Sequence, residues 1–172
     1  MKVGLKWIVS FVIISIVAIG GLFWKPDLTA PNTGDFLGES AIVGADVAWI
    51  LAAAGLVLLM TPGLSFFYGG MVGKKNVIST MLQSFIALGV ISILWVVVGF
   101  SLSFGESIGF ELNGEHYGII GNPFTYMFFN NVSNFPHKAM ASTIPFVLFA
   151  LFQMKFAVIT PALITGSFAE RV

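Results

Sequence analysis

Four long apolar runs constrain this chain more than any other feature. They cover residues 7–24, 47–69, 77–104 and 143–168. About 20 apolar residues suffice for a helix to cross the hydrocarbon core of a bilayer. Because hydrophobic residues follow one another continuously here, instead of alternating with polar ones, the pattern favours helices over the strands of a barrel. The sequence therefore predicts an all-α, polytopic membrane protein.

The composition supports this class and excludes others. Hydrophobic residues make up 57% of the chain and charged residues 9%, whereas soluble domains carry about 25% charged residues. The formal net charge is zero, so nothing points to nucleic acid as a partner. There is no cysteine, and the two histidines, His116 and His137, lack a second ligand at metal-binding spacing. No phosphate-binding or nucleophile motif occurs, so we predict neither a cofactor nor enzymatic activity.

The placement of charges predicts how the chain is oriented. Lysines precede the first run and fill the link between the second and third, and Arg171 follows the fourth. Seven acidic residues lie in the two intervening segments: Asp27, Asp35, Glu39, Asp46, Glu106, Glu111 and Glu115. Basic residues concentrate on the cytoplasmic side of membrane proteins. We therefore expect a multi-pass protein of the cell (inner or plasma) membrane, with residue 172 in the cytoplasm.

The first run has two interpretations, and both stay open. Two lysines followed by an apolar stretch are typical of a secretory signal peptide, but Pro31 disfavours cleavage after Ala30. Residues 1–24 are thus a signal peptide or a retained signal anchor, and residues 25–45 an external polar linker. Residues 105–140 form a long external connection rich in Gly, Asn and aromatic residues. We expect part of it to be a short interfacial segment packed on the outer mouth.

The second run contains two features with alternative meanings. Pro62 and Gly63 predict a kink or local unwinding, which either shapes a pathway or merely accommodates helix packing. Asp46 is most simply a helix N-cap. Its functional alternative is a carboxylate that attracts cations to the outer mouth.

The fourth run carries the candidate site. Phe152 and Phe156 are four residues apart and share one helix face, where their rings could coordinate or gate a small cation. The alternative is simple packing or lipid contact. Gln153 and Lys155 lie between them, and a lysine at this depth costs roughly 2.5–3.5 kcal/mol unless it is accommodated. They are possible pathway supports.

Six sequence blocks resemble the amino-terminal portion of the ammonium transporter (Amt/Rh) family. They are ADVAWI at 45–50, MTPGLSFFYGG at 60–70, KNVISTMLQ at 75–83, WVVVGFSLSFG at 95–105, FQMKFAVITPALI at 152–164 and GSFAER at 166–171. The resemblance implies a homotrimer of eleven-helix subunits, each with its own hydrophobic pore for ammonium and ammonia. Residues 46–172 would then be the first three transmembrane helices of an incomplete transporter domain, with an N-terminal hydrophobic leader before them.

The same resemblance implies roles for individual residues. Phe156 matches a gating phenylalanine of the family, and Phe152 the aromatic residue that lines the outer recruitment site. A PII-type regulatory protein is a possible cytoplasmic partner.

Two departures from the family pattern matter. The family's paired pore histidines and second gating phenylalanine lie further along than residue 172, so we expect a transporter fragment that does not transport alone. Position 155 is usually small or apolar in the family, commonly methionine, whereas here it is Lys155. That lysine either faces away from the pore or marks a variant that senses ammonium without turnover. A small membrane partner protein is a further alternative.

Overall fold

The computed structural model describes residues 35–112 and 115–164, together with Val12, Ile16 and Ser167. The leader prediction for residues 1–24 falls outside the described residues except at Val12 and Ile16, and Arg171 also falls outside them. Side chains of residues 112, 115 and 116, which include His116, are likewise not described.

The described part is mostly helical and confirms a polytopic membrane architecture. Helix α1 is Gly44–Met71 and helix α2 is Val77–Leu94, which continues through a π-helical turn at Trp95–Gly99 into helix α3, Phe100–Phe104. Helix α4 is Phe146–Ile164. By length and composition, three segments can cross a membrane: Gly44–Met71, Val77–Phe104 and Phe146–Ile164.

Local unwinding at Pro62 is wrong, because α1 is continuous from Gly44 to Met71, whereas a kink there stays a prediction. The N-cap prediction for α1 is wrong as well. Asp46 is not the N-cap, since α1 begins at Gly44 with Val43 in the capping position. The N–H of Val43 donates to the carbonyl of Thr143 at 2.9 Å, which fixes the chain just before the helix. Asp46 still lies in the first turn, where a negative charge complements the helix dipole.

The membrane helices contact one another through small and polar residues. On α1 the buried positions are Thr61, Ser65 and Gly69. The Ser65 hydroxyl donates to the carbonyl of Met81 on α2 at 3.1 Å, and a Cβ on Gly69 would lie 3.0 Å from the Cγ of Met81. Close approach through small residues is the usual way in which helices associate inside a bilayer.

Two long side chains tie the other helices to α4. The Tyr68 hydroxyl on α1 donates to the carbonyl of Leu163 at 3.1 Å. The indole Nε1 of Trp95, in the π-helical turn, donates to the carbonyl of Ala150 at 3.1 Å. These two bonds hold α4 at both ends of its length.

A β-hairpin follows the carboxyl end of α3 and was not anticipated from the sequence. We call this end of the helices outer, after the orientation that the charges predict. Strand β1, Ser107–Leu112, pairs antiparallel with strand β2, Glu115–Gly121, with a bulge after Ile108. A Cβ on Gly121 would collide with the carbonyl oxygens of Ser101 and Leu102, so glycine allows the hairpin to lie against the helix end.

The core lies at the outer end of the helices and is built around Phe146. This ring is fully buried. It contacts five aromatic rings at centroid distances of 4.8–6.1 Å: Phe36, Phe100, Tyr126, His137 and Phe149. We call these six residues the outer aromatic cluster.

The segment before α1 lies at the same end of the helices. We call it, together with residues 105–112 and 115–145, the outer layer. The N–H of Leu37 donates to the carbonyl of Pro136, and the N–H of Lys138 donates to the carbonyl of Asp35, each at 2.8 Å. Residues 35–43 therefore pair with residues 136–143 and close over the cluster.

Candidate functional site

Phe152 and Phe156 form an aromatic pair on α4. Their ring centroids are 5.2 Å apart and their planes are inclined by 78°, an edge-to-face arrangement. Phe152 is half-buried, whereas Phe156 leaves 41% of its surface exposed. One turn of helix separates the two residues, so the helix geometry alone brings the rings together.

Phe156 also lines a groove between α1 and α4. The groove has a volume of about 520 Å³, and its lining consists of Met60, Gly63, Leu64, Phe67, Phe156, Ile159, Thr160 and Leu163. Thr160 is the polar side chain in this set, and its hydroxyl donates to the carbonyl of Phe156 at 2.8 Å. Because that donor is already satisfied by the helix backbone, the groove presents an apolar wall.

Lys155 lies on a different face of α4 from Phe156. Consecutive residues of a helix are about 100° apart, and Lys155 lies roughly 20° from Ala162 and 60° from Val158, both of which are buried. Lys155 itself is half-buried and does not line the groove. Within the described residues, no hydrogen bond or ion pair reaches its ammonium group.

Gln153 is half-buried and three residues before Phe156, also outside the groove lining. The structure thus joins Phe152 and Phe156 in one contact and leaves Gln153 and Lys155 on neighbouring faces of the helix.

On the α1 wall of the groove, only Gly63 belongs to the bend that was considered as shaping a pathway, and the other three residues were missed. Met60, Gly63, Leu64 and Phe67 follow the spacing of a single helix face, which was a readable signal. Phe66 and Phe67 are both exposed, yet only Phe67 is among the groove residues. Which of the two faces α4 depends on how the helices pack, and sequence spacing within α1 does not show that.

Comparisons with known proteins agree with this architecture. A sequence profile of the Ammonium Transporter Family matches residues 48–172. An ammonium transporter of Bacillus subtilis is 44% identical over 131 residues, which are 74% of this chain and 29% of that protein. An ammonium transporter of Mycobacterium tuberculosis is 41% identical over 142 residues, which are 75% of this chain and 28% of that protein.

Two solved structures also resemble this chain in fold. The crystal structure of Mep2 from Saccharomyces cerevisiae superimposes with a TM-score of 0.60 at 31% identity, covering 76% of this chain and 27% of that one. A mutant of Mep2 from Candida albicans superimposes with a TM-score of 0.62 at 29% identity, covering 83% and 30%. The chain therefore spans less than a third of the length of these relatives.

Proposed function

Because the chain belongs to the ammonium transporter family, we propose that it supplies part of a conduction path for ammonium and ammonia. Phe152 and Phe156 lie at the outer side of that path, and the groove between α1 and α4 forms part of its wall. The observation that carries this proposal is the edge-to-face pair of Phe152 and Phe156 beside an apolar groove.

The aromatic pair and the groove favour different forms of the substrate. Aromatic faces attract cations, more strongly where water is excluded, so the two rings favour ammonium. Apart from the Thr160 hydroxyl oxygen, which can still accept a bond, the described lining of the groove has no polar side chain to replace the water around an ion, and moving an ion into such a medium is costly. Neutral ammonia is therefore the form that enters the groove, after ammonium at the rings has transferred its proton to solvent water.

The described helices expose apolar surface that further structure would cover. Trp49, Leu56 and Ile78 are 75%, 68% and 76% exposed. We attribute this surface to lipid, to further helices and to other subunits of a homotrimer. A PII-type regulator would bind on the cytoplasmic side, where residue 172 lies in the proposed orientation.

Methylammonium uptake tests the proposal. The complete reading frame is expressed in cells that lack their own ammonium transporters, and uptake of radiolabelled methylammonium is measured for Phe156→Ala. Losing a cation–π contact of about 1.4 kcal/mol should raise the KM about tenfold. Phe66→Ala is the matched control, because Phe66 is 67% exposed and lies outside the groove lining. Equal kinetics for the two variants would contradict a role for Phe156 in the path.

Lys155 separates the transporter from the runner-up, a sensor that binds ammonium without turnover. If the charged side chain of Lys155 faced the path, it would repel the substrate cation. If it faced α1 and α2, it would not. Since Lys155 lies outside the groove lining, we expect Lys155→Met to change uptake by less than about twofold, the size of an ordinary surface effect. A large gain in uptake would show that the lysine blocks the path and would favour the sensor.

A further inference from the structure

A second cavity lies in the outer layer and shares no lining residue with the groove. Its volume is about 540 Å³. The carboxylates of Asp35 and Glu106 are exposed at its rim, and the rings of Phe36 and Phe104 form part of its wall. Tyr126 and His137, 8% and 7% exposed, also line it. We call this cavity the outer chamber.

Tyr126 brings an unpaired hydroxyl to the outer chamber. Its backbone N–H donates to the Ser101 hydroxyl at 2.9 Å, but its own hydroxyl has no hydrogen-bond partner among the described residues. Burial raises the pKa of this phenol, and the charges of Asp35 and Glu106 raise it further. The group therefore stays a neutral hydroxyl, within electrostatic reach of both carboxylates. The described buried polar atoms without a partner do not include this hydroxyl, so its oxygen is open to the chamber and can accept a bond from a ligand there.

Backbone hydrogen bonds determine which ring nitrogen of neutral His137 carries the proton. Its Nδ1 accepts the N–H groups of Ala139 and Met140, both at 3.3 Å, so the proton of the neutral ring is assigned to Nε2. Burial lowers the pKa of His137, against a smaller opposing effect of Asp35. The ring stacks on Phe146 at 4.8 Å.

This tautomer argues against a metal site in the chamber. A protonated Nε2 has no lone pair for a metal. Moreover, no group of three or more His, Cys, Asp or Glu side chains that could hold a metal ion occurs among the described residues. The chamber thus combines negative charge, a neutral hydroxyl and aromatic walls, without the donor set of a metal centre.

We propose that the outer chamber binds a small ammonium-type cation, ammonium itself or an alkylammonium, at a site separate from Phe152 and Phe156. Asp35 and Glu106 supply the charge, the Tyr126 oxygen accepts an N–H bond, and the rings of Phe36 and Phe104 face the cation. This assignment rests on the proposed function, because a transported ammonium ion is the cation that the outer side would meet. It selects N–H donors over a metal ion of similar size, since K⁺ cannot donate a hydrogen bond to Tyr126.

Equilibrium binding of radiolabelled methylammonium to the full chain in zwitterionic lipid nanodiscs tests the site. We expect Asp35→Asn and Glu106→Gln each to weaken binding about fivefold to tenfold, and Tyr126→Phe about threefold to fivefold. Glu111→Gln is the matched control, because it removes an exposed carboxylate of the same outer layer that does not line the chamber. The control should bind like the unmodified chain.

Three results would overturn the chamber as an ammonium site. They are equal competition by K⁺, an equal loss of binding in Glu111→Gln, and binding of Zn²⁺ that depends on His137. Size-exclusion profiles and circular dichroism show whether each variant is folded. If a charge variant does not fold, Tyr126→Phe still tests the site, because it removes the hydroxyl and preserves the ring.

Uptake kinetics distinguish this proposal from the proposed function. In the complete reading frame, chamber variants should raise the KM for methylammonium without changing the maximal rate. Binding without any uptake would refute the proposed transport and leave the chamber standing. Normal uptake with no binding at the chamber would refute the chamber alone.

Discussion

Replacing Phe146 by alanine should open the outer layer of the protein. The ring is fully buried and contacts five other aromatic rings. Truncating a buried phenylalanine costs about 3–5 kcal/mol, because apolar contact is lost and a cavity remains. Each 1.36 kcal/mol changes an equilibrium tenfold. Even the lower figure therefore raises the population of the open outer layer by more than about 100-fold.

Thiol labelling measures this opening directly. The chain contains no cysteine, so a single Ala141→Cys substitution provides a clean reporter. Ala141 is 6% exposed and belongs to the same buried cluster as Phe146. When the layer opens and closes faster than the reagent reacts, the labelling rate follows the open population.

The control is Phe124→Ala, because Phe124 lies in the same outer layer but is 73% exposed. It should leave the labelling rate within about twofold, as expected for a surface substitution. A fivefold change in labelling rate corresponds to about 1 kcal/mol in the free energy of opening. If Phe146→Ala accelerates labelling by less than that, the outer layer does not depend on the Phe146 contacts and this reasoning is refuted.

Three further predictions concern other parts of the structure. The pKa of His137 is lowered in the folded state, so its stabilising effect is complete above about pH 6.5 and is lost as the pH falls through the lower folded value. The labelling rate of the same reporter, divided by that of a free reference thiol at the same pH because only the thiolate reacts, should rise below about pH 6. A ratio that stays flat from about pH 7.5 to 5 would refute this. Trp95→Phe removes the donor to Ala150 and should cost about 1 kcal/mol in thermal unfolding; an unchanged Tm would mean that the bond contributes nothing. Phe128 has a φ of 53° and is 66% exposed, so Phe128→Gly should stabilise the protein by about 0.5–1 kcal/mol, and a lower Tm would contradict backbone strain there.

The membrane spans could be predicted because they depend on local composition. The apolar run 77–104 and the observed segment Val77–Phe104 have the same ends. The π-helical turn Trp95–Gly99 inside it was not predicted, since nothing in its sequence differs from ordinary apolar helix. The turn contains Trp95, whose indole bonds to Ala150, 55 residues away, and a contact of that range is not visible in a local pattern.

The hairpin could have been predicted but was not. Asn113 and Gly114 stand between its two strands, and alternating apolar residues precede them in β1. An Asn-Gly pair between alternating runs is a strong hairpin signal. The Gly, Asn and aromatic content of residues 105–140 instead led to the prediction of a short interfacial segment.

The candidate site was predictable only along one helix. The Phe152–Phe156 contact follows from their spacing of four residues. The facing wall at Leu64 and Phe67 comes from another helix, and the outer chamber joins Asp35 to Tyr126 and His137. Both arrangements depend on contacts between distant parts of the chain, and no single-segment pattern specifies them.

The pairing of residues 35–43 with residues 136–143 has a consequence for biosynthesis. The bond from Val43 to Thr143 joins two segments that leave the ribosome roughly 100 residues apart, or about 5–20 s at ordinary rates of translation. Both segments must reach the same side of the membrane before Phe146 can meet its partners. A nascent chain with one helix inserted the wrong way round would keep that ring uncovered, so closure of the outer layer depends on correct insertion of both segments.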